Sequence, residues 1–202
     1  METSTTKNSM PRQVRNTRLD ILAAAEDLFY GKGLRVVSVD DIAAKAGITK
    51  KALYYHFRSK DELIAAYLES RSEPTLQRFQ LWAGVDGTVS ERLDRMFRRL
   101  GRCAGMPKWK GCGFVRATGE LANEPGHPAI VIARSHKASF EKWLADSLAA
   151  EGYEDSTALA QSLMVLIDGT VTQILLHRKS SYAHAAARAA RALLHGPSRF
   201  EA

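Results

Sequence analysis

Between Ser38 and Phe57 two short helical patterns are separated by a single glycine. The first, "SVDDIAAKA", opens with Ser38 and has Asp41 three residues later, the spacing of a capping box with Asp in place of Glu. Val39, Ile42, Ala43 and Ala46 give it a short apolar face. Gly47 closes it and permits a sharp turn, because a residue without Cβ enters the left-handed region freely. The second, "TKKALYYHF", starts at Thr49, a natural N-cap, with Ile48 and Leu53 at the two positions of a hydrophobic staple. Neither helix is long enough to bury its face alone, so the pair must pack against further helices.

The second pattern separates into two faces. At 100° per residue Leu53 and Phe57 point inward, Lys51 and Tyr55 lie opposite, and Tyr54 and His56 flank them. Lysines near a helix start donate to guanine O6 and N7 or to phosphate. A tyrosine offers a hydroxyl to phosphate and a ring face to a thymine methyl. This is helix-turn-helix geometry, in which the start of the second helix meets base edges in the major groove. Taken singly, each residue has a plainer reading: Lys50 and Lys51 as solvated charges, Tyr54 as cover for the core edge, His56 as a cation near terminal carbonyls. As a set on one face after this turn, they read as a DNA-contacting surface.

Charge supports that reading through its placement rather than its sum. The net charge is +7. Lys7, Arg12, Arg15 and Arg18 fall in an acid-free stretch, as do Lys45, Lys50, Lys51, Arg58 and Lys60, and such local grouping suits phosphate contacts. The opening residues, "METSTTKNSMPRQVRNTR", have no apolar stretch and read as a disordered polar arm rather than a secretory signal. No run of about 18 apolar residues is present, so no membrane span is expected and cytoplasmic residence is the default.

No segment alternates in the manner of a strand, which predicts an all-α fold of about nine helices. The first is expected over 16–30 and ends at "GKG"; Ser59 and Glu62 form a capping box for a fourth, and Pro74 predicts a kink or break near residues 70–74. "GRCAGMPKWKGCG" reads as a loop. Further helices are expected over about 114–122, 129–150, 156–177 and 181–195.

Residues 17–69 closely resemble the N-terminal domain of TetR-family transcriptional regulators, through "DIAAKAGI", "LYYHF" and "SKDEL" at the family's spacing. The resemblance implies a helix-turn-helix head at 14–60 and a helical effector-binding and dimerisation body at 61–196, flanked by the arm 1–13 and a tail 197–202. It also implies a homodimer built from the last two long helices of each chain, operator DNA as partner, and a small-molecule effector that changes the spacing of the heads. Carried over by position, Ser38, Thr49, Lys50, Lys51, Tyr54, Tyr55, His56 and Lys60 fall on DNA- or phosphate-contacting sites. Arg12, Arg15 and Arg18 either reach a minor groove or phosphates, or remain solvated.

The body is less legible. Phe79, Trp82, Met96, Phe97, Trp109, Phe114, Phe140, Trp143 and Met164 are candidates for an apolar pocket, and equally for plain core. Asp168, amid "LMVLIDGTV", needs a partner: a ligand, a second copy of the chain, or water; Glu120 is a similar candidate. Leu163, Ile167, Val171, Ile174, Ala186, Ala189 and Leu193 are candidates for the dimer interface. Residues 92–116 carry eight cations against one acid, which reads as a solvated face or as an attractor of an anionic ligand.

Other functional classes find less support. There is no Ser/His/Asp or Cys/His order to place in one site, no phosphate-binding glycine loop and no H-E-x-x-H, so no enzyme is expected and no cofactor or metal is called for. Cys103 and Cys112 lack metal-ligand spacing and leave open a thiol-based sensor. A sequence-indifferent DNA binder without an effector pocket is the remaining alternative.

Overall fold

The capping signals of the helix pair at residues 38–57 act where the sequence puts them. In the computed structural model, which describes residues 17–195, Ser38 caps α2 (Val39–Ala46). Its Oγ accepts the Asp41 N–H at 3.1 Å, and Asp41 Oδ2 accepts the Ser38 N–H at 2.9 Å, so the box is complete. Those bonds from Ser38 hold the Asp41 carboxyl below the usual carboxylate range. Gly47 follows at φ 67°, and Thr49 Oγ1 then accepts the Ala52 N–H at 3.1 Å to start α3 (Lys50–His56). Preceding them, α1 (Thr17–Lys32) runs two residues past its expected end and stops at Gly33, φ 102°.

In α4 (Lys60–Ala83) the break allowed for near residues 70–74 does not occur, and the capping box is incomplete. The helix continues through Pro74 without a break. Pro74 and Ser70 are both exposed, so the Ser70 carbonyl that loses its N–H partner can be hydrated. The capping box at its start is half formed: Ser59 Oγ accepts the Glu62 N–H at 3.0 Å, but the Glu62 carboxylate turns to the Arg58 N–H at 2.9 Å.

The body comprises α5 (Val89–Arg102), a 3-10 turn at Cys103–Gly105, α6 (Gly113–Glu120), α7 (Pro128–Ala150), α8 (Ser156–His177) and α9 (Ser181–His195). Helices α5 and α9 pack together, α7 lies between α4 and α8, and α8 packs on α9. Among the described residues there is no strand. By length and composition α8 could cross a membrane; here one side of it, with Leu163, Ile167 and Ile174, is buried in the body, and Val165 and Leu176 on the other are exposed.

The apolar interior forms two clusters. One joins Ile21, Phe29, Ile42, Leu53, Leu63 and Tyr67 of the first four helices, with Phe57 just after α3, to Phe114 and Ala117 of α6, Leu121 just after it, and Ala129 and Ala133 of α7. The other holds Phe79, Met96, Phe97, Leu100, Phe140, Leu144, Leu163, Ile167 and Ile174. Helix α4 spans both, and α6 is packed with the head.

Candidate functional site

Because Leu53 and Phe57 are buried, the rest of α3 faces outward. Tyr55 is 87% exposed and Tyr54 42%; Lys50, Lys51 and Thr49 are exposed, and His56 is half-buried with its ring edge-on to Tyr55 at 5.3 Å. Ser38 is exposed beside them at the start of α2. Six of the expected contact residues are thus exposed at the surface of the helix pair, and His56 is half-buried. Lys50 Nζ lies 3.0 Å from Asp40 Oδ2, and that hydrogen bond and charge raise its pKa. Asp40 is a partner that sequence reading did not identify. Lys51 has no such carboxylate among the described residues. Lys60 is half-buried, with Nζ 3.4 Å from the Arg35 carbonyl, and burial lowers its pKa. Arg15, the arm and the tail lie outside the described residues.

Behind the head is a cavity of about 410 Å³. Of the eleven pocket candidates, Phe79, Trp82, Trp109, Phe114, Phe140 and Asp168 line it. Met96, Phe97, Trp143 and Met164 do not; Met96 and Phe97 are fully buried and fill the second core instead. The wall also includes Glu26 and Tyr30 of α1, so the cavity reaches the head directly. Asp168 is ion-paired with Lys137, and Glu26 with Arg71 at 3.0 Å. Arg71, Arg78, Lys137 and His136 carry no sequence signal for this role, since they converge only in three dimensions.

Glu120 is not in the cavity wall. Its Oε2 accepts the N–H groups of Leu34 at 2.7 Å and Arg35 at 3.1 Å, while Arg35 Nε donates to the Glu120 carbonyl at 2.7 Å. Arg116 donates to the Tyr30 carbonyl at 2.8 Å, and the Tyr30 hydroxyl accepts the Lys110 N–H at 2.8 Å. His127 Nδ1 accepts the Ala129 N–H at 3.1 Å, which leaves the proton on Nε2, 3.3 Å from Asp61 Oδ1. Helix α6 and its flanks are therefore latched to the head at several points.

The interface candidates divide. Leu163, Ile167, Val171, Ile174 and Ala186 are buried within this chain, so they supply its own core and are not available to a second copy. Ala189 is half-buried and Leu193 41% exposed. The open face of α8 lies on the other side of the helix, where Ala158, Ser162, Val165, Gly169, Thr172 and Leu176 recur at alternating spacings of four and three. Ser162 and Thr172 donate their hydroxyls to carbonyls of their own helix at 3.0 Å, and a Cβ at Gly169 would meet nothing. Both thiols line the cavity; burial pushes the Cys103 pKa up, which disfavours the reactive thiolate.

His136 gives a pH prediction. It is 2% exposed, stacked on Phe114 at 3.7 Å, with Nδ1 3.0 Å from Ser72 Oγ, and desolvation lowers its pKa to about 4. Because folding lowers this pKa, the unfolded chain binds more protons between about pH 6.5 and 4. Its contribution is whole above pH 6.5 and lost as pH falls towards 4. Urea midpoints across that window should therefore drop further for the wild type than for His136→Gln; parallel curves would contradict the assignment.

Residues 21–67 match the family model for bacterial regulatory proteins of the tetR family. Over these residues the chain is similar to the DNA-binding domain of TetR-family regulators. It is 43% identical over 61 residues to the HTH-type transcriptional regulator TtgR of Pseudomonas putida, covering 30% of this chain and 29% of that protein. Over 87 residues it is 31% identical to the HTH-type transcriptional repressor KstR2 of Mycolicibacterium smegmatis, covering 43% and 42%. These matches span less than half of the curated relatives' length. Solved structures extend the likeness over the whole TetR-family fold. A TetR-family regulator from Streptomyces coelicolor aligns at TM-score 0.78 and 26% identity, over 91% of this chain and 96% of that one. A TetR regulator from Legionella pneumophila aligns at TM-score 0.73 and 21% identity, over 89% and 98%, which speaks to the fold alone.

Proposed function

We propose that the chain is a homodimeric, sequence-specific DNA-binding repressor, released from a palindromic operator when a small molecule fills the cavity. The observation that carries this is the outer face of α3, where Lys51, Tyr54 and Tyr55 are exposed immediately after the Gly47 turn, with Lys50 beside them held by Asp40, on a helix anchored from beneath by Leu53 and Phe57. Two such faces on a two-fold axis read half-sites about one helical turn, 34–36 Å, or a multiple of it apart. Repression is the mode named for KstR2.

The second copy fits the open stripe of α8, with Leu193, Ala189, Ala185 and Ala192 of α9 beside it. Small residues at Ala158, Ser162 and Gly169 allow close helix approach, while Val165 and Leu176, each at least 70% exposed, supply area to bury. Switching follows from the cavity's walls. An occupant touches Tyr30 of α1 and Phe114 of α6, and the bonds of Glu120 to Leu34 and Arg35 carry any shift of α6 into the segment before α2.

Selection of bound sequences from random duplex DNA tests the reading, with a two-fold symmetric site as the expected product. Tyr54→Ala and Lys51→Ala should each weaken that site by about 1–3 kcal/mol and relax preference at particular base pairs. Equal losses on operator and random DNA would reduce both residues to phosphate contacts.

A further inference from the structure

We infer that the cavity takes an organic anion: an apolar body held among aromatic rings and a carboxylate or phosphate head held at the rim by Arg78, Arg99 and Arg102. The inference rests on the reading of the cavity as an effector site and names its ligand class.

The walls provide for the body. Phe79, Trp82, Trp109, Phe114, Phe140 and Ile167 make the lining predominantly apolar, and a volume near 410 Å³ is within the range of small-molecule sites.

The charges select the head. Within the cavity the two carboxylates are already engaged, Glu26 by Arg71 at 3.0 Å and Asp168 by Lys137. An organic cation therefore meets no uncommitted acid. Three more cations, Arg78, Arg99 and Arg102, line the same cavity, are exposed, and have no carboxylate partner among the described residues. Their neighbours in sequence are employed otherwise. Arg92 donates to the Gly84 carbonyl, Arg95 to the Ala83 carbonyl, Arg98 pairs with Asp94, and Arg116 caps the end of α1 at Tyr30. Of the eight cations in residues 92–116, these four are engaged elsewhere in the fold, and Arg99 and Arg102 are the two that line the cavity. Arg99 and Arg102, three apart on α5, share a helix face, and Arg78 comes from α4 with its guanidinium 5.9 Å from the Trp82 ring centre. All three line one apolar cavity, and guanidinium groups bind carboxylate and phosphate in bidentate fashion.

The full-length protein is titrated with decanoate, decyl phosphate, decanol and decyltrimethylammonium, following fluorescence of Trp82 and Trp109 in the cavity wall. At least one of the two anions should bind tenfold or more tightly than decanol, and the cation should give no saturable change. The triple variant Arg78→Gln, Arg99→Gln, Arg102→Gln alters exposed side chains only. It should bring the preferred anion down to the affinity of decanol and leave decanol unchanged. Decanol binding as tightly as both anions, or anion binding untouched in the triple variant, would overturn the anion assignment while sparing the cavity as an effector site. No saturable binding of any of the four would overturn both.

Discussion

Replacing Val165 with arginine is expected to convert the protein from dimer to monomer and to lower operator affinity by about 10²–10⁴-fold. Val165 is 73% exposed in the single chain and sits at the middle of the α8 stripe, so its substitution disturbs little within the fold. In a two-fold interface, however, the same residue meets its own copy or a near neighbour, and two guanidinium groups are then buried together without counter-charges. The affinity loss follows because each head alone contacts one half-site, and the second contact is favourable only while the heads are linked. Light scattering at micromolar concentration reads the first effect and operator titration the second. Binding to random DNA by a single head should change much less. A variant that remains dimeric would move the interface away from this face of α8.

Phe97→Ala should destabilise the chain by about 3–5 kcal/mol, read as a lower urea midpoint with circular dichroism. Phe97 is fully buried in the cluster formed by α5, α7, α8 and α9, where its ring has no access to the cavity. Both the lost transfer free energy and the void left behind contribute, because the neighbouring helices α8 and α9 cannot close around the gap without losing their own packing. The substitution discriminates between the two roles the sequence allowed for this residue. A pocket-lining Phe97 would yield a mild stability change and altered ligand affinity, whereas a core Phe97 yields the reverse.

Residues 38–57 were readable because everything that shapes them is local. A hydroxyl three residues before a backbone N–H, a glycine at positive φ, and apolar anchors four apart act over one or two turns of chain, so Ser38, Gly47, Thr49, Leu53 and Phe57 occupy their expected roles. The outer face of α3 follows from the inner one by geometry. The kink or break expected at Pro74 shows the limit of local rules: no break occurs, because that side of α4 is wetted and Tyr67, Leu68 and Phe79 are buried on either side of the proline.

What the sequence by itself determined is the all-helical class, the helix-turn-helix and the division of α3 into a packed and an outward side. Only the tertiary structure decided how the remaining residues share their roles. Helix α8 is apolar on two sides, and periodicity marks both; packing against α5, α7 and α9 assigns Leu163, Ile167 and Ile174 to the interior and leaves Val165, Gly169 and Leu176 outside. Glu120 carries the same carboxylate as Asp168, but its partners are two backbone N–H groups some 85 residues away, which no spacing within α6 could disclose. The cavity draws Glu26, Arg78, Arg102, Lys137 and Asp168 from five separate elements. The physical reason is the same throughout: caps and turns are made by neighbours along the chain, whereas burial, pairing and the lining of a cavity are made by neighbours in space.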